Sequence, residues 1–368
     1  MIKDNFNKFI ERISPILLKP TSNSITISLS KRFMLFKLVE NISLRIENDL
    51  HLNFISLLKY YKVFGKILEG DIKEFYKDRN KRYFKDFFLD VKIWEQIKED
   101  LEHVYLINNN INVTITKHGI IVYNNYKKNQ FNILLLTIHS GTYIPNNVEK
   151  KMYLSSTNRK KEEDIDTNKL YSKLVLNQGG VWIDNKCSRF YCDLNRNISN
   201  CIYENKQNQN NNLNKIWKED LTTKEINEIH SFYSSFYSLL TRLLDVFNFN
   251  IIFDAHSMRH EPKRPDFSLG THFIPKFYLP IVKSIKKRII SLGYRKVGIN
   301  RPYGGGFILK WLSSKYPFLF IFSMEINKKI YMSKNRLRTY KTKTEKISND
   351  LVKIFDIVEE KGFRINKN

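Results

Sequence analysis

Residues 132–138, NILLLTI, form an almost unbroken apolar run that stops at His139-Ser140-Gly141. A strand with one wet face alternates apolar and polar positions; an uninterrupted run is buried on both faces and needs a covering layer on each side. Two further segments have the same character. IIF at 251–253 leads into the motif FDAHSMRH, and FLFIFSMEI at 318–326 carries Glu325 near its end. KVGI (296–299) and RFYCDL (189–194), the latter followed by Asn195-Arg196, also read as strands. Helical spacing fills the intervals, over 164–178, near 278–292 and over roughly 344–361. It is clearest over 223–246, where Ile226, Ile229, Phe232, Phe236, Leu239 and Leu243 recur every three or four residues. Strands alternating with helices predict an α/β fold, a mixed and mostly parallel sheet with helices on both faces. In such sheets the ligand site lies beyond the carboxyl ends of the strands. His139, Asn195-Arg196, Asp254-x-His256 and Glu325 are therefore expected along one edge.

Composition narrows the class of protein. The 368 residues include 42% hydrophobic ones, ordinary for a globular chain, and no run of about 18 apolar residues that a membrane helix requires. The start, MIKDNFNKFIERI, breaks its apolar positions with charges, unlike a secretory leader, so a cytoplasmic protein without membrane association is expected. Cys187, Cys192 and Cys201 are odd in number and form no C-x-x-C pair, which argues against a disulfide framework and a thiolate metal site. Net charge is +25, an invitation to consider nucleic acid, but Lys, Asn, Ile, Tyr and Phe are all over-used and the basic residues are spread along the chain. Only 328–346 concentrates them, with eight Lys/Arg against one Glu.

Three regions are expected. Residues 1–130 read as an α-rich addition with strands at SNSITISLS and in the hairpin INVTITKHGIIVYNN, and helical spacing over 43–66 and 84–105. Residues 131–335 carry the chemistry. Residues 336–368 form a basic C-terminal helix expected to pack on that domain. NKQNQNNNLNK at 205–215 is a polar surface loop.

A hydrolytic zinc site takes about three protein ligands, commonly two histidines and a carboxylate. His139 and His256 are the obvious imidazoles, each followed by Ser at the end of an apolar strand. Asp254 lies on the same side of an extended chain as His256 and either orients it or ligates. His260 reaches such a site only if 256–260 is helical. A buried Glu325 is costly unless paired or at work, and a carboxylate beside an activated water is the usual base and then acid in amide hydrolysis. Arg189 either meets an oxyanion or pairs with Asp193, and Arg196 offers a planar fork to a substrate carboxylate. Residues 304–306, GGG, lack both phosphate-loop patterns and read as a tight turn that brings backbone close to substrate.

Taken together HSGTYIP (139–145), EEDIDTNKLY (162–171), SRFYCDLNR (188–196), FDAHSMRH (253–260), PDFSLGTH (265–272), GYRKVGINRPYGGGFI (293–308) and SMEINKKIYM (323–332) resemble the N-formylglutamate amidohydrolase family over about 131–335. The resemblance implies a zinc carboxypeptidase-like (phosphorylase/hydrolase-like) α/β fold and one zinc per chain. His139 and His256 then correspond to ligands, Glu325 to the catalytic carboxylate and Arg189 to an oxyanion donor. Asn195 and Arg196 correspond to the substrate clamp, with Tyr303 and Gly305 beside the substrate. The carboxypeptidase relatives place a Glu shortly after the first His; here 142 is Thr and 145 is Pro, so Asp164 is taken as third ligand, with Asp166 and Asp254 as alternatives. The expected function is hydrolysis of an N-formyl or N-acyl amino acid, or a short peptide with a free carboxylate. The rival is a non-catalytic scaffold binding nucleic acid or another polyanion, supported by the charge and by Tyr331 and Tyr340 among the basic residues.

Overall fold

A computed structural model describes residues 24–29, 91–108, 111–116, 118–205 and 215–365. The chain divides into two compact units, Met1–Asn125 and Tyr126–Asn368. In the first, β1 (Ser24–Leu29) pairs antiparallel with β2 (Ile111–Thr116), which forms a hairpin with β3 (Ile120–Asn125). The expected strands are thus present. Helix α1 (Val91–Ile107) buries Ile93, Ile97, Leu101 and Val104, a single stripe at helical spacing. The helix expected over 43–66 and the start of that over 84–105 fall outside the described residues.

In the second unit the order along the chain is β4 (Ile133–Thr137), short α2 (Asn146–Glu149), α3 (Ser156–Glu162), α4 (Thr167–Lys173), β5 (Gly180–Asn185), α5 (Thr223–Val246) and β6 (Ile251–Met258). Then come β7 (Phe267–Gly270), α6 (Leu279–Ser291), β8 (Val297–Ile299), α7 (Phe307–Lys315), β9 (Phe320–Asn327) and α8 (Lys341–Ile365). Its strands lie in the order β5-β4-β6-β9-β7-β8. β5, β4, β6 and β9 are mutually parallel, β7 runs antiparallel to β9, and β8 is parallel to β7. This is the mixed, mostly parallel sheet that the apolar runs predict.

Every residue of β4, β5, β6 and β7 is buried, as strands covered on both faces require. Alternation along β6 and β9 then sorts side chains between the two faces. Phe253 and Phe322 point one way, with ring centroids 4.8 Å apart, and meet Tyr171 of α4 and Phe355 of α8. Asp254, His256, Ser323 and Glu325 point the other way, and the register sets Asp254 beside Ser323 and His256 beside Glu325. Helix α5 starts in a capping box, Thr222 with Glu225, and buries Ile229, Phe232, Phe236, Leu239 and Leu243, the stripe its spacing predicts. Helix α8 packs on α4 and α6 through Ile347, Leu351, Ile354 and Phe355. No helix among the described residues is long and apolar enough to cross a membrane.

One expectation needs correcting, and two strands were not expected. Residues 189–194 form no strand: the Tyr191 and Cys192 amides bond to the Ser188 carbonyl and that of Asp193 to Cys201, so the segment is a set of turns. The strand that flanks β4 is instead β5, whose period is hidden by Gly180 at its start and Asp184-Asn185 at its end. Gly180 is required there, because a Cβ would lie 2.0 Å from the Ile133 carbonyl oxygen, and its φ is +124°. β7, four residues inside PDFSLGTH, was too short to stand out.

Candidate active site

The chain passes from β4 to β5 on one side and then crosses to β6 on the other, so the winding reverses between β4 and β6. Such a reversal opens a crevice at the carboxyl ends of the strands. His139 lies two residues beyond β4 and His256 two residues before the end of β6, so each strand delivers one histidine to that crevice. The ring centroids are 4.9 Å apart and both rings are buried. Ser140 fixes the loop after β4 by donating to Asp184 and, over 3.1 Å, to the Asn185 carbonyl.

Asp164, just ahead of α4, comes between the two. Its Oδ2 is 3.0 Å from His256 Nδ1 and 3.8 Å from His139 Nδ1, and it accepts the Ser257 amide at 3.3 Å. One ligand-type atom from each of His139, Asp164 and His256 lies within 4.8 Å of the others. The far nitrogens are also held by carboxylates: His139 Nε2 is 2.8 Å from Asp193 Oδ1, and His256 Nε2 is 2.8 Å from Asp254 Oδ2. That leaves His139 Nδ1 buried with no hydrogen-bond partner. The structure thus gathers Asp164 with the histidines. Asp254 is on the opposite edge of the His256 ring, and Asp166 turns away to Lys169 at 2.9 Å and to the Thr339 hydroxyl at 2.6 Å.

Burial and charge set the protonation tendencies. Burial lowers the His139 pKa, helped by the charge of Arg189 and opposed by Asp193. Burial also works against a charged His256, but the Asp254 charge and the bonds to Asp164 and Asp254 outweigh it and hold the imidazolium well above the ordinary range. For Asp164 burial acts upward, and the bond to His256 with the Lys328 charge brings the carboxyl down to about 2. Glu325 is raised to about 7, chiefly by burial, with His256 opposing and Asp164 adding. It forms no ion pair to Arg189 or Arg196, and no other salt bridge among the described residues.

These groups line a cavity of about 380 Å³ together with Arg189, Asn195, Arg196, Tyr303 and Gly305. Arg189 Nη2 donates to Asp193 Oδ2 at 2.9 Å. Arg196 is 43% exposed with Nε 3.4 Å from the same oxygen. Asn195 is more committed than the sequence suggests: its Oδ1 accepts the Ile308 amide at 3.0 Å, anchoring the start of α7, and its Nδ2 is 3.4 Å from His256 Nε2. Gly306 makes this possible, since a Cβ there would lie 2.2 Å from Asn195 Oδ1. His260 is exposed beyond β6, and His272 bonds through its amide to Gly304; neither lines the cavity.

The sequence offers Asp193 as a partner of Arg189, and that pair forms, but it does not reveal Asp193 as the hub of this site. Asp193, completely buried, accepts from His139, Arg189, the Asn195 amide at 2.9 Å and the Tyr203 hydroxyl at 2.5 Å. Burial pushes its carboxyl up, but Arg189 and His139 hold it well below the usual range. The Arg-x-x-x-Asp spacing was the available signal; for Tyr203, in a separate turn, there was none.

The structure of N-formylglutamate amidohydrolase from Ralstonia eutropha JMP134 superposes with a TM-score of 0.54 at 16% identity, covering 67% of this chain and 98% of that one. A gene product of Agrobacterium tumefaciens gives 0.48 at 14% identity, over 65% and 92% of the two chains. A metallo-carboxypeptidase from Burkholderia cenocepacia gives 0.36 at 8%, over 73% and 69%. No curated protein matches the sequence. The sequence model of N-formylglutamate amidohydrolase matches residues 131–332, more than half of the chain and all of the residues gathered in the crevice, and the protein belongs to that family.

Proposed function

We propose that the protein is a zinc-dependent amidohydrolase acting on an N-formyl or N-acyl amino acid, or a short peptide, with a free carboxylate. The observation that carries this reading is the convergence of His139 Nδ1, His256 Nδ1 and Asp164 Oδ2. A buried imidazole nitrogen without a partner is costly unless something binds it, and His139 Nδ1 is such an atom. The opposite nitrogens rest on Asp193 and Asp254, the carboxylate–histidine arrangement that fixes ring orientation and basicity in metal sites. These residues fit one zinc ion, with His139, Asp164 and His256 as its protein ligands.

Zinc in a site of three protein ligands supplies Lewis-acid chemistry, polarising a carbonyl and acidifying water. Glu325, beside His256 in the sheet register, takes the proton from the attacking water and delivers it to the leaving amine. Arg189, locked by Asp193, presents positive charge where an oxyanion develops. Arg196 receives the substrate carboxylate, Asn195 holds the start of α7 against the cavity, and Tyr303 and Gly305 complete its lining.

The polyanion reading has less support. In the stretch 328–346, Lys328 and Tyr331 are buried, the latter donating to the Ile165 carbonyl at 3.2 Å, so basic and aromatic side chains do not form one exposed strip. The test of the enzyme reading is hydrolysis of a panel of N-formyl, N-acetyl and dipeptide substrates by zinc-loaded protein and by Glu325→Gln. The variant is expected to keep its zinc and lose about 10²–10⁴ of turnover, the range for a general acid–base group. Undiminished turnover, or loss of zinc, removes Glu325 from the role.

A further inference from the structure

Tyr203, which lines the cavity, touches both arginines and their shared carboxylate. Its hydroxyl donates to Asp193 Oδ2 at 2.5 Å and accepts from Arg189 Nε at 3.0 Å. The Arg196 guanidinium carbon lies 4.1 Å from the ring centroid, the shortest such cation–ring distance among the described residues. The ring is itself fixed: its centroid is 5.3 Å from that of Phe190, and its backbone carbonyl accepts from Trp217 Nε1 at 2.6 Å.

We propose that Tyr203 is a specificity-determining positioning residue, a neutral shelf that holds Arg196 in place, still charged, to select substrates bearing a carboxylate. The inference rests on the reading of Arg196 as the substrate clamp. Its physical basis is a shortage of negative charge. Asp193 is one carboxylate facing two guanidinium groups, and its contacts to Arg189 are shorter than the 3.4 Å to Arg196. A second carboxylate under Arg196 would immobilise it but would also neutralise it and compete with the substrate. An aromatic face attracts the cation without supplying a negative charge. A guanidinium stacked by its face keeps its edges for in-plane hydrogen bonds, the geometry of bidentate carboxylate recognition. Here one edge, Nε, turns to Asp193, while no group among the described residues accepts from either Nη of Arg196. Burial raises the phenol to about 12, so the shelf stays neutral at ordinary pH.

The test compares Tyr203→Phe, which loses the hydroxyl and keeps the ring, with Tyr203→Leu, which loses both. Both are made in full-length, zinc-loaded Glu325→Gln protein so that the ligand is not consumed. Calorimetry measures N-acetylglycine and N-acetylglycinamide, which differ in the carboxylate. The Phe variant is expected to bind the acid within about threefold of its Glu325→Gln parent and the Leu variant roughly tenfold more weakly than Phe, the scale of a cation–π contact. The amide should not distinguish the two. In the otherwise native enzyme the same pair should differ in KM for acid substrates, with kcat little changed. Equal acid binding by Phe and Leu overturns the role of the ring, as does an equal loss for acid and amide. Failure of the parent to prefer the acid over the amide overturns the clamp itself, and the shelf with it. Arg196→Lys covers the case in which the Leu variant does not fold: it keeps the charge, lacks the planar face, and should lose the same tenfold for the acid alone, while undiminished binding refutes the proposal.

Discussion

Asp193→Asn removes a single charge from the centre of the site and keeps the side chain's shape. In the folded protein that carboxylate is fully buried and faces His139, Arg189, Arg196, the Tyr203 hydroxyl and the Asn195 amide. Charge-assisted hydrogen bonds contribute roughly 1.5–3 kcal/mol each, and breaking a buried ion pair from one side costs about 3–5 kcal/mol. The contributions do not add, because an Asn carbonyl still accepts from the Asn195 amide and one other donor. The Arg189 side chain is 26% exposed, so water recovers part of its loss. A destabilisation of about 2–4 kcal/mol is expected, measured by urea unfolding of metal-free protein near neutral pH. The sign of the pH dependence follows from the depressed pKa. The stabilisation is complete above the unfolded value near about 4 and is lost as pH falls from there toward the folded value, so wild type and variant should converge in acid. Losing the carboxylate behind His139 should also weaken zinc binding by about 10–100-fold. A stability change below about 0.5 kcal/mol together with unchanged zinc affinity would refute the reasoning, since effects that small are usual for surface positions and not for a buried charged hub.

Two other substitutions probe the frame around the site. Gly306→Ala places a methyl where the Asn195 amide now sits, so activity should fall severely, the Asn195–Ile308 bond should be broken in a crystal structure, and the unfolding temperature should drop; an intact bond with native activity would contradict it. Glu225 is lowered to about 2 by its bond to Lys151 and by the Thr222 cap, so Glu225→Gln should lower the unfolding temperature at pH 7. That deficit should be constant above the unfolded carboxylate value of about 4.3 and vanish as pH falls through about 2; a deficit that grows in acid would contradict it.

How much was legible from the residues follows from where the information lies. β4, β6 and β9 announce themselves because burial on both faces demands unbroken apolar runs, and His139, His256 and Glu325 interrupt those runs at or near their ends. Helix α5 is legible because one apolar stripe repeats over its length. β5 is not, because its pairing with β4 depends on a glycine fitting against the Ile133 backbone, a tertiary fact. The turns at 188–194 mimic a strand in composition while spending their amide donors locally. Asp164 could be placed near the histidines only through the family resemblance, since nothing in its own stretch fixes which of Asp164 and Asp166 points inward. The structure separates them by their bonds: one to His256, the other to Lys169 and Thr339. Tyr203 escaped because its partners come from a turn whose path the sequence does not state.

The central claim is that His139, Asp164 and His256 together hold one zinc ion. Equilibrium dialysis of the chelator-stripped protein against zinc, with metal counted by mass spectrometry, tests it without reference to activity. The account predicts about one zinc per chain in the native sequence and in Glu325→Gln, and less than about a tenth of that in His256→Ala at the same free zinc. Native protein that takes up no zinc, or a His256→Ala variant that fills as the native protein does, would contradict it.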